Sequence, residues 1–419
     1  MWVELINVAG NPQKSGLTIM KLRFGNDLED FRQEVRAFLR DNLPADIAER
    51  TRRISYFPRV DDMLGWMRIL HRQGWSVPNW PVEYGGTGWD PLRLHIFNDE
   101  LAQADAPEIA MSNQYTIGPL IYKFGSQAQK DYFLPPTRGG EYLWAQGFSE
   151  PGSGSDLASL RTTARRDGDH YIVKGQKIWT SGAHLSKWVF ALVKTDTTVK
   201  PQRGISLLLI DLAAPGVTVR TIRQINTDAH LCEVFFDDVR VPVENRVGEE
   251  NQAWNYAKEL LNDERTLSAY VYWSKRELKK ARAIAEGEKR HGQPLIDDPV
   301  FQSRLARLEA QVQALDWSVL RVLANEKSRY SETAQASALK VRGSELQQAV
   351  TELQMDALGQ RALRSMPIKA VYAHRDDDPL WPAYALGRTE IALLMRAATI
   401  YGGTKQVQKN ILAKQAFGL

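Results

Sequence analysis

The sequence predicts an α+β chain of several domains: an N-terminal helical domain, a middle domain built as an antiparallel β-barrel or sandwich, and a C-terminal domain of the four-helix-bundle kind. Three observations predict it. Apolar residues recur at helical spacing from Asn26 to the Pro135-Pro136 pair. The period falls to two between Tyr142 and Val241, and long amphipathic patterns return from Gln252 to the end. At 419 residues the chain also exceeds what one hydrophobic core usually serves, so two or three domains are expected. The boundaries drawn from these patterns are 1–19, an extended start or tail outside the fold; 20–141, helical; 142–246, β; and 247–419, helical.

In the first part Leu28, Phe31, Val35, Phe38 and Leu39 fall on one helical face. Asn26 or Asp27 offers the N-cap, and Pro44 follows the end. A second helix over about 61–72 stops at Gly74. Between Gly74 and Gly88 the density of Gly and Pro forbids regular structure, while Trp75 and Trp80 demand burial, so an ordered loop is expected. Two more helices, about 91–103 and 118–133 with a break at Gly125, lead to the proline pair.

The β-rich runs of the middle part are 171–173, 188–193, 205–210, 217–222 and 233–236. Asp167-Gly168 signals a hairpin turn. Consecutive strands with short turns imply an antiparallel barrel or sandwich. Helices over about 254–291, 299–328, 334–358 and 389–400, and a last one after Gly403, read as a bundle. The stretch 361–386, with Pro367, Pro379 and Pro382, reads as a long mobile or interface loop.

Composition excludes several classes. A formal charge of +4 on 54 basic and 50 acidic side chains makes no case for nucleic acid. The single cysteine, Cys232, rules out an internal disulfide and a Cys-based metal site, which fits a reducing cytoplasm; no metal is expected. No apolar run is long enough to span a membrane, and residues 1–19 lack the pattern of a signal peptide. No Gly-x-Gly-x-x-Gly follows a strand, so a Rossmann nucleotide site is not supported.

Two clusters carry the chemistry. The first is Phe148-Ser149-Glu150-Pro151-Gly152-Ser153-Gly154-Ser155-Asp156, at the junction of the helical and β parts. Its glycines free the backbone to expose N–H groups, and its hydroxyls add donors, an arrangement suited to a phosphate or the polar edge of a heterocycle. A serine-hydrolase elbow is excluded because Gly-x-Ser-x-Gly does not occur here. The second is Gly175-Gln176-Lys177-Ile178-Trp179-Thr180-Ser181-Gly182, on the following hairpin.

Together these clusters resemble those of the acyl-CoA dehydrogenase family, and the resemblance runs through nearly the whole chain. It implies FAD as cofactor and an acyl-CoA as substrate. By motif position Phe148 and Ser149 meet the flavin and Ser155 lies near the CoA. Trp179 lies against the isoalloxazine ring, with Thr180 among its contacts and Ser181 within reach of N5. Thr404 and Gln406 match positions that meet the ADP half of the flavin. Met355 and Gly359 match the contact made by a neighbouring subunit. Where the family has an arginine that clamps the pyrophosphate, this chain has Glu288, with Lys289 and Arg290 beside it.

The family reaction needs a carboxylate to take the α-proton, and burial is how such a base is brought toward working pH. In many members the base follows Tyr in a Tyr-Glu-Gly-Thr segment near the C-terminus. Here that segment is Tyr401-Gly402-Gly403-Thr404, and Gly402 cannot take a proton. The family's other location ends Glu-Arg, matched here by Leu260-Leu261-Asn262-Asp263-Glu264-Arg265. Ala257, Leu260, Leu261 and Glu264 share one helical face, so Glu264 falls on an apolar stripe. The resemblance thus implies Glu264 as base, with Arg265, Tyr401 and Gly402 facing the substrate.

The segments 147–160, 233–239 and 400–404 are similar to those of the pimeloyl-CoA dehydrogenase large-subunit type. That implies a homo-oligomer or a heterotetramer with a related small subunit, and electron-transferring flavoprotein as acceptor. Two alternatives stay open: a non-catalytic, partner-dependent subunit, and a flavin-dependent oxidase or monooxygenase of the same fold.

Overall fold

The structure is a computed structural model that describes residues 3–7, 20–257, 269–324, 328, 331–375, 378 and 380–419. The extended start has a partner: β1 (Val3–Asn7) pairs antiparallel with β2 (Met20–Phe24), Leu5 opposite Leu22. Six helices follow: α1 (Asn26–Asn42), α2 (Ala45–Arg53), α3 (Val60–Gln73), α4 (Pro91–Gln103), α5 (Gly118–Phe124) and α6 (Gln127–Gly139). Leu28, Phe31, Val35 and Leu39 bury the expected face of α1 against Trp66 and Phe97.

Helix α6 runs through Pro135 and Pro136, where the sequence suggested an end. A proline in a helix deprives the carbonyl four residues earlier of its donor. Those carbonyls belong to Asp131 and Tyr132, both exposed, so water can replace the missing N–H. The loop before α4 is ordered as expected. Trp75 and Trp80 are buried, and the Trp80 indole donates to the Gln114 carbonyl at 2.7 Å. A Cβ at Gly118 would lie 1.9 Å from that indole, so the close approach requires glycine.

The middle part is one sheet of β3 (Trp144–Gly147), β4 (Thr163–Asp167), β5 (His170–Lys177), β6 (Trp188–Lys194), β7 (Ile205–Asp211), β8 (Val217–Ile222), β9 (Leu231–Pro242) and β10 (Arg246–Val247). Its order is β10-β7-β6-β4-β5-β9-β8, with β3 beside β6. The pairings are antiparallel except β3 with β6 and β4 with β6, which are parallel, so the sheet is mixed. The β4–β6 junction is a single pair, Thr163 with Lys194.

The ends of the order do not pair, so the sheet does not close into a barrel. It folds over itself instead. In β6, Trp188, Phe190 and Leu192 pack with the N-terminal helices, while Val189, Ala191 and Val193 pack with Val173 and Val234 of the other half. Both faces of β6 are therefore covered, which explains its unbroken apolar run.

In the C-terminal part α7 (Val271–Gly287) precedes a short hairpin of β11 (Lys289–Arg290) and β12 (Gln293–Pro294). Then come α8 (Pro299–Leu323), α9 (Glu332–Leu358), α10 (Ile368–Ala373), α11 (Arg388–Leu394) and α12 (Lys405–Phe417). The helix expected over 254–291 is not continuous. Tyr270 takes a left-handed conformation (φ 49°) at the start of α7, and the chain leaves the helix at Glu288. The helix expected over 299–328 ends at Leu323, and the one expected over 389–400 at Leu394.

The stretch 361–386 is not simply a loop. It contains α10, and Val371, Trp381 and Leu386 join the core of the bundle. Helix α9 carries a buried polar stripe, Ser337, Lys340, Ser344, Gln347, Thr351 and Gln354, at alternating spacings of three and four. Among the described residues no helix is long and apolar enough to cross a membrane. Nor, among these residues, is any group of three or more His, Cys, Asp or Glu placed to hold a metal ion.

Candidate functional site

A buried ion pair holds the two chemical clusters together. After β3 the chain turns at Glu150, which exchanges backbone hydrogen bonds of 2.9 Å with Ser153. The Glu150 carboxylate accepts from the backbone N–H groups of Arg161 (2.5 Å) and Thr162 (2.9 Å), and from Lys177 Nζ at 2.7 Å. Lys177 is fully buried and also donates to the Phe148 carbonyl at 3.2 Å. Burial alone would raise the Glu150 carboxyl, but the Lys177 charge and these hydrogen bonds hold it below the usual carboxylate range. Burial pushes the Lys177 ammonium down to about 8 against the pull of Glu150.

The Ile178 N–H donates to the Ser149 carbonyl at 2.9 Å, so the end of β5 lies along the 148–156 loop. Gly175, where the β5–β9 register shifts, lets the strands come this close: a Cβ there would lie 2.6 Å from Thr162 Oγ1. The structure thus brings Phe148, Ser149, Trp179, Thr180 and Ser181 to one place. Ser155 stands exposed on the same loop.

Two features of the hairpin are not those of a settled surface. Trp179 has φ 61° and is 57% exposed, a bulky residue in a strained conformation facing outward. Thr180 is fully buried, its N–H donating to the Cys232 carbonyl at 3.0 Å, yet its hydroxyl has no partner among the described residues. A buried hydroxyl without a partner is costly, and a bound polar heterocycle would supply one.

Glu264 and Arg265 lie outside the described residues. Tyr401 lies among Tyr56, Tyr270 and Lys340, its ring 6.2 Å from that of Tyr56. A Cβ at Gly402 would lie 3.6 Å from Lys340 Nζ. This aromatic group adjoins the hairpin through Phe57, whose ring lies tilted 3.9 Å from that of His230, the residue whose carbonyl accepts from the Gly182 N–H at 2.7 Å.

The remaining candidates sit apart. Thr404 caps α12 by accepting from the Val407 N–H at 3.2 Å, and Gln406 is exposed. Gly359 ends α9 at φ 56°, its N–H bonded to the Met355 carbonyl, and lines a cleft of about 510 Å³ with Glu288, Arg361 and Trp381. Among the described residues no hydrogen bond joins these four positions to the Trp179 hairpin. In the cleft Glu288 pairs with Arg361 at 2.9 Å and accepts from the Tyr384 hydroxyl at 3.2 Å.

Sequence reasoning passed over Lys340. The signal was there, a lysine in register with Ser337, Ser344 and Gln347 along a helix with no acidic residue in that row. Lys340 donates to the Ala398 carbonyl at 3.1 Å, and burial pushes its ammonium down from 10.5 to about 8. Between those values the unfolded chain holds more protons than the folded one, so this group's contribution to stability rises with pH. Below about 8 the full penalty of the buried charge applies. The rise should be absent from Lys340→Met, a difference of no more than about 3 kcal/mol. Urea unfolding of both proteins across this pH window checks it.

Three family descriptions match in succession along the chain: the acyl-CoA dehydrogenase N-terminal domain over residues 25–141, the middle domain over 145–239 and the C-terminal domain over 251–417. Acyl-CoA dehydrogenase IpdE1 of Mycobacterium tuberculosis is 34% identical over 94% of this chain and 98% of its own length. The chain belongs to the acyl-CoA dehydrogenase family.

Solved structures agree with this membership. The Tcur3481–Tcur3483 steroid ACAD matches with a TM-score of 0.79 and 28% identity over 95% of this chain and 98% of that one. The ChsE4–ChsE5 complex from Mycobacterium tuberculosis gives 0.77 and 32% over 96% and 99%. As a family member the enzyme is an oxidoreductase of acyl-CoA thioesters, in a family that generally uses FAD.

Proposed function

We propose that this dehydrogenase is FAD-dependent and converts an acyl-CoA to its trans-2-enoyl-CoA, with Glu264 removing the α-proton and electrons passing to electron-transferring flavoprotein. The observation that carries the flavin reading is the unpartnered Thr180 hydroxyl beside the outward-facing Trp179. Bound flavin would supply the acceptor for the β-hydride at N5. The chain would do the rest. Phe148, Ser149, Trp179, Thr180 and Ser181 would hold the ring, the loop at Ser155 would meet the CoA, and Tyr401 and Gly402 would flank the acyl group with Arg265. A carboxylate on an apolar helical face is a base whose pKa burial can raise.

The purified protein should show flavin absorbance, or gain it on adding FAD, and an acyl-CoA should bleach it. No flavin signal in either case would remove the reading. Thr180→Val separates the cofactor's role from a packing role. The apoprotein should be no less stable, because an unpaired buried hydroxyl has been replaced by a methyl. FAD affinity should fall about tenfold, the worth of one hydrogen bond. Unchanged affinity by fluorescence titration would dismiss Thr180 as a flavin contact.

A second reading is favoured by Glu288. Where a neighbouring subunit would offer a cation to the flavin pyrophosphate, this chain offers a carboxylate tied to Arg361 and Tyr384. In a second copy of the chain only the neighbouring Lys289 or Arg290 of the same cleft could take the clamp's place, whereas a related subunit carrying the arginine would supply it directly. The similar solved structures named above include a complex of two different chains, ChsE4 and ChsE5. In this reading the purified chain alone binds FAD weakly and gains both affinity and turnover when produced with a related partner. Stoichiometric, tight FAD in the isolated homo-oligomer would reject it.

A further inference from the structure

Between α4, the segment 106–115 and the start of α7 lies a cavity of about 90 Å³, room for several waters or the tip of an acyl group. Met111 and Tyr270 line it on the side of the Tyr56–Tyr401 aromatic group, the Tyr270 and Tyr56 hydroxyls being 3.5 Å apart. This rim is hydrophobic, as an acyl chain requires. The lining is not wholly so, for Glu108 and Arg276 also line the cavity.

Arg276 is 3% exposed, and one of its terminal nitrogens donates to the Ser55 carbonyl at 2.6 Å. Its Nε is buried without a hydrogen-bond partner among the described residues, the nearest carboxylate oxygen of Glu277 standing 3.7 Å away. Tyr272, which also lines the cavity, does not fill the gap: its hydroxyl is engaged with His95 Nδ1 at 3.0 Å. Burial pushes the Glu108 carboxyl up, and the Arg276 charge opposes this. A carboxyl and a buried guanidinium thus line one small, partly open space. A hydrocarbon tip would keep water from both while offering neither a hydrogen bond, which is costly for buried polar groups. A carboxylate tip would set a second acidic group beside Glu108, and two carboxyls sharing one small site disfavour each other's ionisation. A hydroxyl could accept from Arg276 and donate to Glu108.

We propose that this cavity receives the far end of the acyl group and that Glu108 and Arg276 select a hydroxylated acyl-CoA over a plain or an ω-carboxylated one. The inference rests on the chain's acting on acyl-CoA thioesters and adds the chemistry of the acyl group. The test takes acyl-CoAs of graded length in matched sets, plain, hydroxylated at the terminal or penultimate carbon, and ω-carboxylated, and measures kcat/KM by flavin bleaching. At the length that reaches the cavity the hydroxylated ester should exceed the plain one by at least about tenfold. Glu108→Leu should remove most of that preference, whereas Glu108→Gln, whose amide still hydrogen-bonds, should keep it. Equal use of plain and hydroxylated esters at every length would overturn the proposal, as would preference for the carboxylate or an unaltered preference in Glu108→Leu. If no ester bleaches the flavin, the catalytic reading fails by itself, and calorimetric binding of the same matched esters still decides the preference. Should Glu108→Leu not fold, the wild-type and Glu108→Gln comparisons carry the decision.

Discussion

Glu264→Gln should retain flavin and ligand binding, seen as a perturbed flavin spectrum, while losing reduction by acyl-CoA at least about 10²–10⁴-fold. That is the usual contribution of a positioned general base. The amide keeps the shape and hydrogen bonds of the carboxylate and removes only its proton affinity. At the family's other base position the chain has Gly402, so no carboxylate follows Tyr401 to take over. Stopped-flow reduction of the variant is the measurement, and an undiminished rate would move the base to another residue or to a partner subunit.

The structure also says how well a carboxylate at position 402 could rescue that variant. Gly402 has φ 63°, a conformation that costs an L side chain roughly 1–2 kcal/mol. Its added Cβ would lie 3.6 Å from Lys340 Nζ, and an adjacent ammonium lowers a carboxyl pKa and weakens it as a base. Gly402→Glu in the Glu264→Gln background should therefore recover little activity.

How much was legible follows from which signals are local. Alone, the 148–156 loop reads as readily as a serine- and glycine-rich surface loop; it stood out because, with the 175–182 hairpin, it resembles the paired clusters of the family, and the structure brings the two together through Lys177 and Glu150. The Asp167-Gly168 turn was legible from its own two residues, with Gly168 at φ 62° between β4 and β5. Strand β4 was not. Thr163–Asp167 has one buried residue, Ala164, and no alternation to read. The break at Tyr270 was also invisible, since tyrosine does not signal a left-handed conformation and only packing imposes one. Glu108 looked like any glutamate beside a proline. What distinguishes it is Arg276, distant in sequence and brought to it only by the fold.

The largest stability effect is expected where the N-terminal and C-terminal helices are tied together. Arg388 and Glu277 are both buried and joined at 2.6 Å. Arg388 also donates to the carbonyls of Arg52 and Arg53 at the end of α2 and to that of Leu386. Gly387 beside it permits the approach, for a Cβ there would lie 2.1 Å from the Arg53 carbonyl oxygen. Burial alone would raise the Glu277 carboxyl, but the charges of Lys280, Arg388 and Arg276 hold it well below the usual range. Its stabilising contribution is therefore present above the unfolded value of 4.5 and is lost as pH falls toward the folded one. Arg388→Met keeps most of the side-chain volume but takes from that carboxylate its 2.6 Å partner, leaving it Lys280 and Gln354 at 3.0 Å each and leaving two α2 carbonyls without this donor. Breaking a buried pair by removing one partner costs about 3–5 kcal/mol where the other charge is left uncompensated; with Lys280 still beside Glu277, the loss should lie near the lower figure. The urea midpoint should drop accordingly, and limited proteolysis should open the junction of α2 with α11. A loss below about 1 kcal/mol, the value of an exposed pair, would mean that water reaches Glu277 and that the junction does not depend on this pair.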